Sequence, residues 1–193
     1  MPLHRTRRKS FCTVVATKPC DVNSSVMHKF CEKQRANSRQ FKEFLNDLHS
    51  EHGDLVYYCE VRWLSPGNML RRFYELRDEV EQFMEMKGKP VRELKDSKWL
   101  CNLVFTVDIT KSLTELDIKL QGPNQLFSSL LSNVKSFESK LKLWKLQHEQ
   151  NITVHFPTLE GQNHSITIEY ADECAKLIET FNERFKDVKS KQM

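Results

Sequence analysis

The sequence predicts an all-α fold, an antiparallel array or bundle of four to five amphipathic helices. Glycine and proline are scarce, at 5 and 6 of 193 residues, and this scarcity favours long helices over a loop-rich β fold. Apolar residues recur at intervals of three and four in several segments, which is the period of a helix with one apolar face. Because each apolar face must leave water, the helices are expected to pack against one another.

The first 23 residues show no hydrophobic periodicity and are predicted to form a disordered basic tail. Within residues 1–20 there are five basic side chains and no acidic one, whereas the net charge of the whole chain is +4. The remainder is therefore close to neutral, so nucleic-acid binding by the folded body would depend on local stripes of charge. The five basic residues are Arg5, Arg7, Arg8, Lys9 and Lys18.

Between residues 24 and 61 the predicted elements are shorter. A short helix is predicted over 24–33, and Asn37 or Ser38 provides the N-cap of a second helix that ends near His49. The segment 55–61 is rich in β-branched and aromatic residues and is the one extended stretch that the sequence predicts. Ser65 and Pro66 then form a cap followed by proline at the first helical position.

Three long helices and a final one are predicted after Pro66. The first has an apolar stripe of Met69, Phe73, Leu76, Val80 and Phe83 and ends before the turn 88–90. The second is capped by Asp96 or Ser97 and runs towards Gln121, with a stripe of Leu100, Leu103, Val107, Leu113, Leu116 and Leu120. The third carries Phe127, Leu130, Val134, Phe137, Leu141 and Trp144.

Residues 151–164 are predicted as a loop, and the last helix begins near Thr167. Its predicted apolar face consists of Ile168, Ala171, Ala175, Ile178 and Phe185. Residues 189–193 are expected to fray. The helical domain as a whole is therefore placed at 24–188.

Sequence motifs of catalysis or of metal binding do not emerge. His28 and Cys31 have a spacing that can share a metal ion, but a second matching pair is missing. Phosphate-binding glycine loops and nucleophile motifs are also missing. The sequence thus predicts neither a cofactor, nor a metal, nor a small-molecule substrate, and no apolar run reaches the ~18–20 residues of a membrane span.

Arg62 and Trp63 stand at the junction between the extended stretch and a helix. An indole beside a guanidinium suits stacking on a base together with a phosphate contact. The alternative is that Trp63 anchors the helix start in the core while Arg62 pairs with a carboxylate. A possible DNA-binding set adds a stripe of lysines on the third long helix, Lys135, Lys140, Lys142 and Lys145.

The segment EVRWLSPGNMLRRFYELRDEVEQFME resembles the Arg-Trp region of hAT-family transposases. The similarity continues in NSRQFKEFLNDL before it, and in DSKWLCNLVFTVDITKSLTELDIKLQG, LFSSLLSNVKSFESKLKLWKLQ and HFPTL after it. These blocks follow the order seen in domesticated relatives, which include the transposase-like part of general transcription factor II-I repeat domain-containing proteins and of zinc finger BED domain-containing proteins. The resemblance covers roughly residues 24–188.

This resemblance implies that the chain corresponds to the helical insertion of an RNase H-like transposase, whose acidic catalytic residues lie outside the insertion. It also implies a role for Arg62 and Trp63 at a cleaved DNA end. Pro66 and Asn68, however, stand where relatives carry Arg and Lys, and the loss of these cations removes phosphate contacts.

The combined prediction is a non-catalytic, transposase-derived helical module that binds a protein partner in the nucleus. The alternative is weak residual binding of transposon-end or hairpin DNA through Arg62, Trp63 and the lysine stripe. The basic cluster Arg5-Thr6-Arg7-Arg8-Lys9 is typical of nuclear import. Cytoplasm and, for an arginine-rich and acid-free N-terminus, mitochondrion are the other locations considered.

Overall fold

A computed structural model describes residues 40–47, 66–121, 126–160 and 167–190, and every regular element in these ranges is helical. The predicted all-α class is therefore confirmed. The predicted helix over 24–33 and the extended stretch over 55–61 lie outside the described residues. The described elements are α1 (40–47), α2 (Pro66–Glu75), α3 (Arg77–Met86), a 3₁₀ turn (Arg92–Lys95), α4 (Ser97–Gln121), α5 (Phe127–Glu149), α6 (Pro157–Glu160), α7 (Thr167–Arg184) and α8 (Lys186–Ser190).

The described residues divide into two compact units. The first contains α1, α2, α3, the 3₁₀ turn and residues 97–110 of α4. The second contains residues 111–121 of α4 together with α5, α6, α7 and α8.

The first unit has an aromatic core. The Phe41 ring of α1 meets the Phe83 ring of α3 edge-on, with centroids 5.0 Å apart, and Phe73 of α2 meets Trp99 of α4 at 6.4 Å. Such pairs stabilise a core beyond their area of burial. The buried members of this core are Phe41, Leu45, Leu70, Phe73, Leu76, Val80, Phe83, Met84, Leu94, Trp99, Leu103 and Val107.

Gly88 ends α3 through its backbone conformation. Its φ of +66° is the left-handed conformation, which costs an L-residue with a side chain more than it costs glycine. The Lys89 amide donates to the Met84 carbonyl at 2.9 Å and the Gly88 amide to the Glu85 carbonyl at 2.9 Å. These two bonds form a Schellman motif, which satisfies carbonyls that the helix leaves unpaired.

Asp96 caps the start of α4, as the sequence predicts. Its Oδ1 accepts hydrogen bonds from the amides of Lys98 at 2.8 Å and Trp99 at 3.2 Å. These are the second and third amides of the helix, which have no carbonyl partner within it.

The middle of α4 departs from the predicted stripe. Leu103, Val107, Leu113 and Leu116 are buried as predicted, but every residue of 103–110 is buried, on all sides of the helix. Asp108 and two threonines are included, and Thr110 Oγ1 donates to the Thr106 carbonyl at 2.7 Å. A one-sided stripe therefore underestimates how deeply this segment is enclosed.

In the second unit α5 and α7 pack antiparallel along an aromatic seam. Phe137 lies 5.4 Å from Phe181 between ring centroids, and at the other end His148 lies 5.8 Å from Tyr170. The predicted α5 residues Val134, Phe137, Leu141 and Trp144 are buried on this side. Phe127, predicted to begin the stripe, is instead 44% exposed in the first turn.

The buried face of α7 differs from the predicted one. Tyr170, Ala171, Cys174, Leu177 and Phe181 are buried, whereas Ala175, Ile178 and, just after the helix, Phe185 are only partly covered. The side chain of Ile168, also predicted for this face, lies outside the described residues. The two faces overlap at Ala171, and the observed one buries larger side chains, so it removes more apolar area from water. Lys189 and Ser190, predicted to fray, lie in α8, and Lys189 Nζ pairs with Glu138 of α5.

The chain between α5 and α7 is only partly the predicted loop. Asn151 has a φ of +58° and ends α5 in a second Schellman motif, with the Ile152 amide donating to the Gln147 carbonyl at 2.8 Å. Residues Pro157–Glu160 form a helical turn, α6, and Phe156 ahead of it is 1% exposed, its ring 5.2 Å from that of Trp144. The connection thus contributes to the core.

Gly88 and Asn151 hold equivalent left-handed positions, so substitutions there are expected to change stability in opposite directions. Gly88→Ala should destabilise the protein by about 1 kcal/mol, because nothing lies near the added Cβ and only backbone strain counts. Asn151→Gly should stabilise it by a few tenths of a kcal/mol to about 1 kcal/mol. Urea unfolding measures both.

The exposed neighbour Lys89→Ala is the control for the first substitution, since it leaves the backbone conformation at residue 88 unchanged. Equal midpoints for Gly88→Ala and the unmodified protein would show that this turn does not hold the left-handed conformation in solution.

Candidate functional site

Helix α5 carries four of the six residues predicted to bind DNA. Lys135, Lys140, Lys142 and Lys145 lie on it, whereas Arg62 and Trp63 lie outside the described residues. The lysines do not form one stripe. Lys135 and Lys142, seven residues apart, share a side of the helix, and Lys140 projects from a different side.

Two of these lysines pair with glutamates on their own helix. Lys142 Nζ lies 2.9 Å from Glu138, and Lys145 Nζ lies 3.3 Å from Glu149, both at i,i+4 spacing. Glu138 also binds Lys189 of α8. Hydrogen bonds from Lys142 and Lys189 lower the pKa of the Glu138 carboxyl, so this side chain stays ionised across the neutral range.

Lys140 is engaged with the neighbouring helix. Its Nζ lies 3.4 Å from Ser112 Oγ of α4 and 4.9 Å from the centre of the Trp144 ring. A cation over an indole face is attracted by the quadrupole of the ring. Lys140 thus connects α4 and α5, and its side chain is half-buried.

These pairings reduce the positive field of α5. The helix contains four lysines and two glutamates, and both glutamates contact lysines of the predicted DNA-binding set. Intrahelical pairs of this kind contribute only about 0.3–0.5 kcal/mol each, but they place an acid within the region that would meet phosphate. The lysines therefore form a mixed-charge surface.

Sequence reasoning missed the apolar residues that lie among the lysines. Leu143 and Leu146, one helical turn apart, are 45% and 54% exposed. After the turn at Asn151 the chain folds back beside the last turn of α5, where His155 Nδ1 lies 2.8 Å from Gln147 Oε1. We call the two exposed leucines of α5 the leucine surface: Leu143 and Leu146. Ile152 and Val154 in the connection that follows are exposed as well.

The signal for this surface was present in the segment Lys142-Leu143-Trp144-Lys145-Leu146. Its apolar residues are too many for a single buried stripe, so some of them must face outwards. Trp144 is buried at 1% exposure, and the leucines on either side of it project from the other faces of the helix.

A groove runs between α4 and α5 within the second unit. Its empty volume is about 410 Å³, which includes space open to solvent. Leu116 and Phe137 provide its apolar part, and it has one carboxylate, Glu115. We call it the α4–α5 groove, and its lining residues are Ser112, Glu115, Leu116, Lys119, Asn133, Ser136, Phe137 and Lys140.

The described part of the chain has no cluster of metal ligands, and its two cysteines are buried. Across those ranges, no three His, Cys, Asp or Glu side chains are grouped so that they could hold a metal ion. Cys101 and Cys174 are buried thiols, and burial raises the pKa of Cys174 to about 12, which opposes formation of the nucleophilic thiolate. No described helix has the length and apolar character that crossing a membrane requires.

His148 lies at one end of the seam, in the last turn of α5. Its side chain is fully buried, with its ring 4.5 Å from the Phe156 ring and 5.8 Å from the Tyr170 ring. Burial disfavours the imidazolium and lowers the pKa of His148 to about 4. The core around the leucine surface therefore depends on a neutral histidine.

This predicts a loss of stability in mild acid. The folded-state pKa of His148 lies below the unfolded value of about 6.5, so its contribution is complete above pH 6.5 and declines towards pH 4. Each pKa unit of difference corresponds to about 1.4 kcal/mol. His148→Leu cannot titrate and should flatten the dependence of unfolding free energy on pH over this window.

The matched control is His155→Gln, because His155 is exposed and lies in the connection that follows α5, seven residues after His148. It should leave the pH dependence intact. If both variants had the same slope as the unmodified protein, His148 would not be the titrating group.

Comparison with known proteins finds relatives of this sequence. A family model described as the FAM200/GTF2IRD2 helical domain matches residues 20–149. General transcription factor II-I repeat domain-containing protein 2 of Bos taurus is 36% identical over 155 residues, covering 79% of this chain and 16% of that protein. The Mus musculus protein of the same name is 36% identical over 156 residues, covering 80% and 17%.

The chain therefore spans about one sixth of the length of these curated relatives. No solved structure matches it significantly. The match to the family model includes all of the first unit and continues through α5 of the second.

Proposed function

The chain belongs to the FAM200/GTF2IRD2-like helical-domain family, and from that premise we propose that it is a non-catalytic helical module that binds a protein partner. The observation that carries this proposal is the exposed leucine surface of α5. Leu143 and Leu146 remain in water on a folded helix whose neighbouring lysines already pair with glutamates. Clustered apolar exposure on a folded domain is typical of a protein-binding site.

The location proposed for this module is the nucleus. Support comes from the basic cluster Arg5-Thr6-Arg7-Arg8-Lys9 and from relatives whose names include the term general transcription factor. The descent proposed for it is from the helical insertion of a hAT-family transposase. That origin draws on the Arg62-Trp63 segment and on the order of the sequence blocks around it.

The protein-binding proposal predicts a stoichiometric complex that requires the folded second unit. A nuclear protein captured on the full chain should bind again when purified, with saturable heat in calorimetry. Trp144→Ala should abolish this binding, because removing a buried indole costs about 3–5 kcal/mol and unfolds the seam. The matched control is Met86→Ala in the first unit, which should bind normally because Met86 is 73% exposed.

The result that would contradict the proposal is a chain that forms no binary complex with any purified captured protein. Binding of equal strength by the unmodified chain and by Trp144→Ala would contradict it as well, since adhesion to an unfolded segment needs no module.

DNA binding through Arg62, Trp63 and the four lysines is the second candidate. The excess of lysine over glutamate on α5 favours it. Hairpin DNA should then bind with an affinity that falls about a hundredfold between about 50 and about 200 mM salt, as expected for roughly four phosphate contacts. Trp63→Ala should abolish the shift in gel mobility.

Glu138→Gln separates this candidate from the first. It removes the carboxylate between Lys142 and Lys189, so phosphate would meet one more unit of positive charge and DNA should bind more tightly. No shift at low salt with either the unmodified chain or Glu138→Gln would eliminate DNA as the ligand of this surface.

A further inference from the structure

We propose, on the basis of the protein-binding function above, that the α4–α5 groove and the leucine surface together form one docking surface for an acidic amphipathic helix of a partner protein.

The groove and the leucine surface are continuous along one side of α5. Ser136 and Lys140 line the groove, and Leu143 and Gln147 follow them at intervals of three and four residues, which keeps all four on one side of the helix. From Asn133 to Leu146 this side measures about 20 Å at 1.5 Å per residue. That is the length of an approximately four-turn helix laid alongside α5.

The lining suits the two faces of an amphipathic helix. The exposed Leu143 and Leu146 offer apolar contacts to an apolar stripe, whereas Leu116 and Phe137 are almost completely buried and form only the floor of the groove. Ser136, small and exposed, allows the backbone of an incoming helix to approach α5 closely. Grooves of this kind bind helices through apolar anchors at i, i+3, i+4 and i+7.

The charges around this surface indicate which charge a partner helix should carry. Lys140 lies at one end of the groove, where its Nζ donates to Ser112 Oγ of α4. Lys119 lies about two helical turns beyond Ser112 on α4. Lys142 adjoins Leu143 but pairs with Glu138, so it adds little to the charge of this surface. Lys119 and Lys140 line the groove together with one acid, Glu115, and a helix with carboxylates beside its apolar stripe complements this excess of positive charge.

Two other occupants fit less well. A second copy of α5 would bring Lys135 and Lys142 against the same lysines, which is unfavourable at close range. A nucleic acid would satisfy the lysines but would leave Leu143 and Leu146 without apolar contacts. The following experiment distinguishes a second copy, and the hairpin-DNA experiment above distinguishes a nucleic acid.

The probe is a synthetic, fluorescently labelled peptide of about 18 residues, with leucines at i, i+3, i+4 and i+7 and glutamates on both sides of that stripe. A matched peptide has lysine in place of each glutamate. Fluorescence anisotropy with the full chain should give an affinity for the acidic peptide at least tenfold higher than for the basic one, with the difference shrinking at high salt.

Variants of the chain then locate the surface. Leu143→Glu/Leu146→Glu should weaken binding of the acidic peptide at least tenfold, and Lys140→Glu should weaken it about threefold to tenfold. Ile118→Glu is the matched control, because Ile118 is 68% exposed in the same unit but does not line the groove. Circular dichroism of each variant should show an unchanged helical content.

Several results would overturn the assignment. Equal affinity for the acidic and the basic peptide would indicate unspecific apolar adhesion, and a Leu143→Glu/Leu146→Glu variant that binds like the unmodified chain would place the site elsewhere. A dimer in light scattering that dissociates in that variant would identify a second copy as the occupant. Unchanged binding of a captured partner by this variant would refute the surface while leaving the protein-binding function intact.

Discussion

The aromatic seam between α5 and α7 is the constraint on which the second unit depends. Phe137, Trp144 and Phe156 meet edge-on or tilted at centroid distances of 5.2–6.0 Å, and Phe181 extends the contact to α7. Because these rings fix the rotation of α5 about its own axis, they also fix which of its side chains face outwards. The exposure of Leu143 and Leu146 is a consequence of burying Trp144 between them.

The seam also explains why a histidine is tolerated at the core. His148 lies one turn beyond Trp144 on the same side of α5, so it enters the same buried layer. Its neutral ring lies tilted against the Phe156 ring. Burial lowers the pKa of His148, so the neutral form is favoured. A polar residue therefore completes an apolar layer near neutral pH. The same layer loses stability in mild acid, because protonation of His148 is then favoured in the unfolded chain.

The sequence was sufficient for the helical class and for most outer helix boundaries, because these follow from local signals. The prediction of one continuous helix from Pro66 to the turn at 88–90 was wrong, since the helix is interrupted at Leu76 and forms α2 and α3. Asp96 caps α4 and the glycine-proline turn at 88–90 ends α3 as predicted. The buried face of α7 was not predictable in the same way. Two overlapping apolar stripes share Ala171, and only packing against α5 selects the one with Tyr170, Leu177 and Phe181.

The lysines of the candidate site were predictable from the sequence, but their arrangement in space was not. Periodicity identified the lysines of α5, but it gave no information about Lys189, which reaches Glu138 from 51 residues away in sequence. Such a pairing depends on tertiary structure, as does the contact of Lys140 with Ser112. The full enclosure of 103–110 is a further case, since no local pattern distinguishes a helix covered on one side from one covered on all sides.

The arrangement of charge and apolar surface bears directly on what α5 can recognise. A nucleic-acid surface gains affinity from every cation that meets phosphate, and each carboxylate beside it reduces that gain. On α5 the carboxylates stand next to the lysines while leucines fill the space between them. A protein partner can use all three features at once, because a helix brings apolar, acidic and basic groups to fixed positions. For this reason we propose a helix of a partner protein, in preference to DNA, as the ligand of this surface.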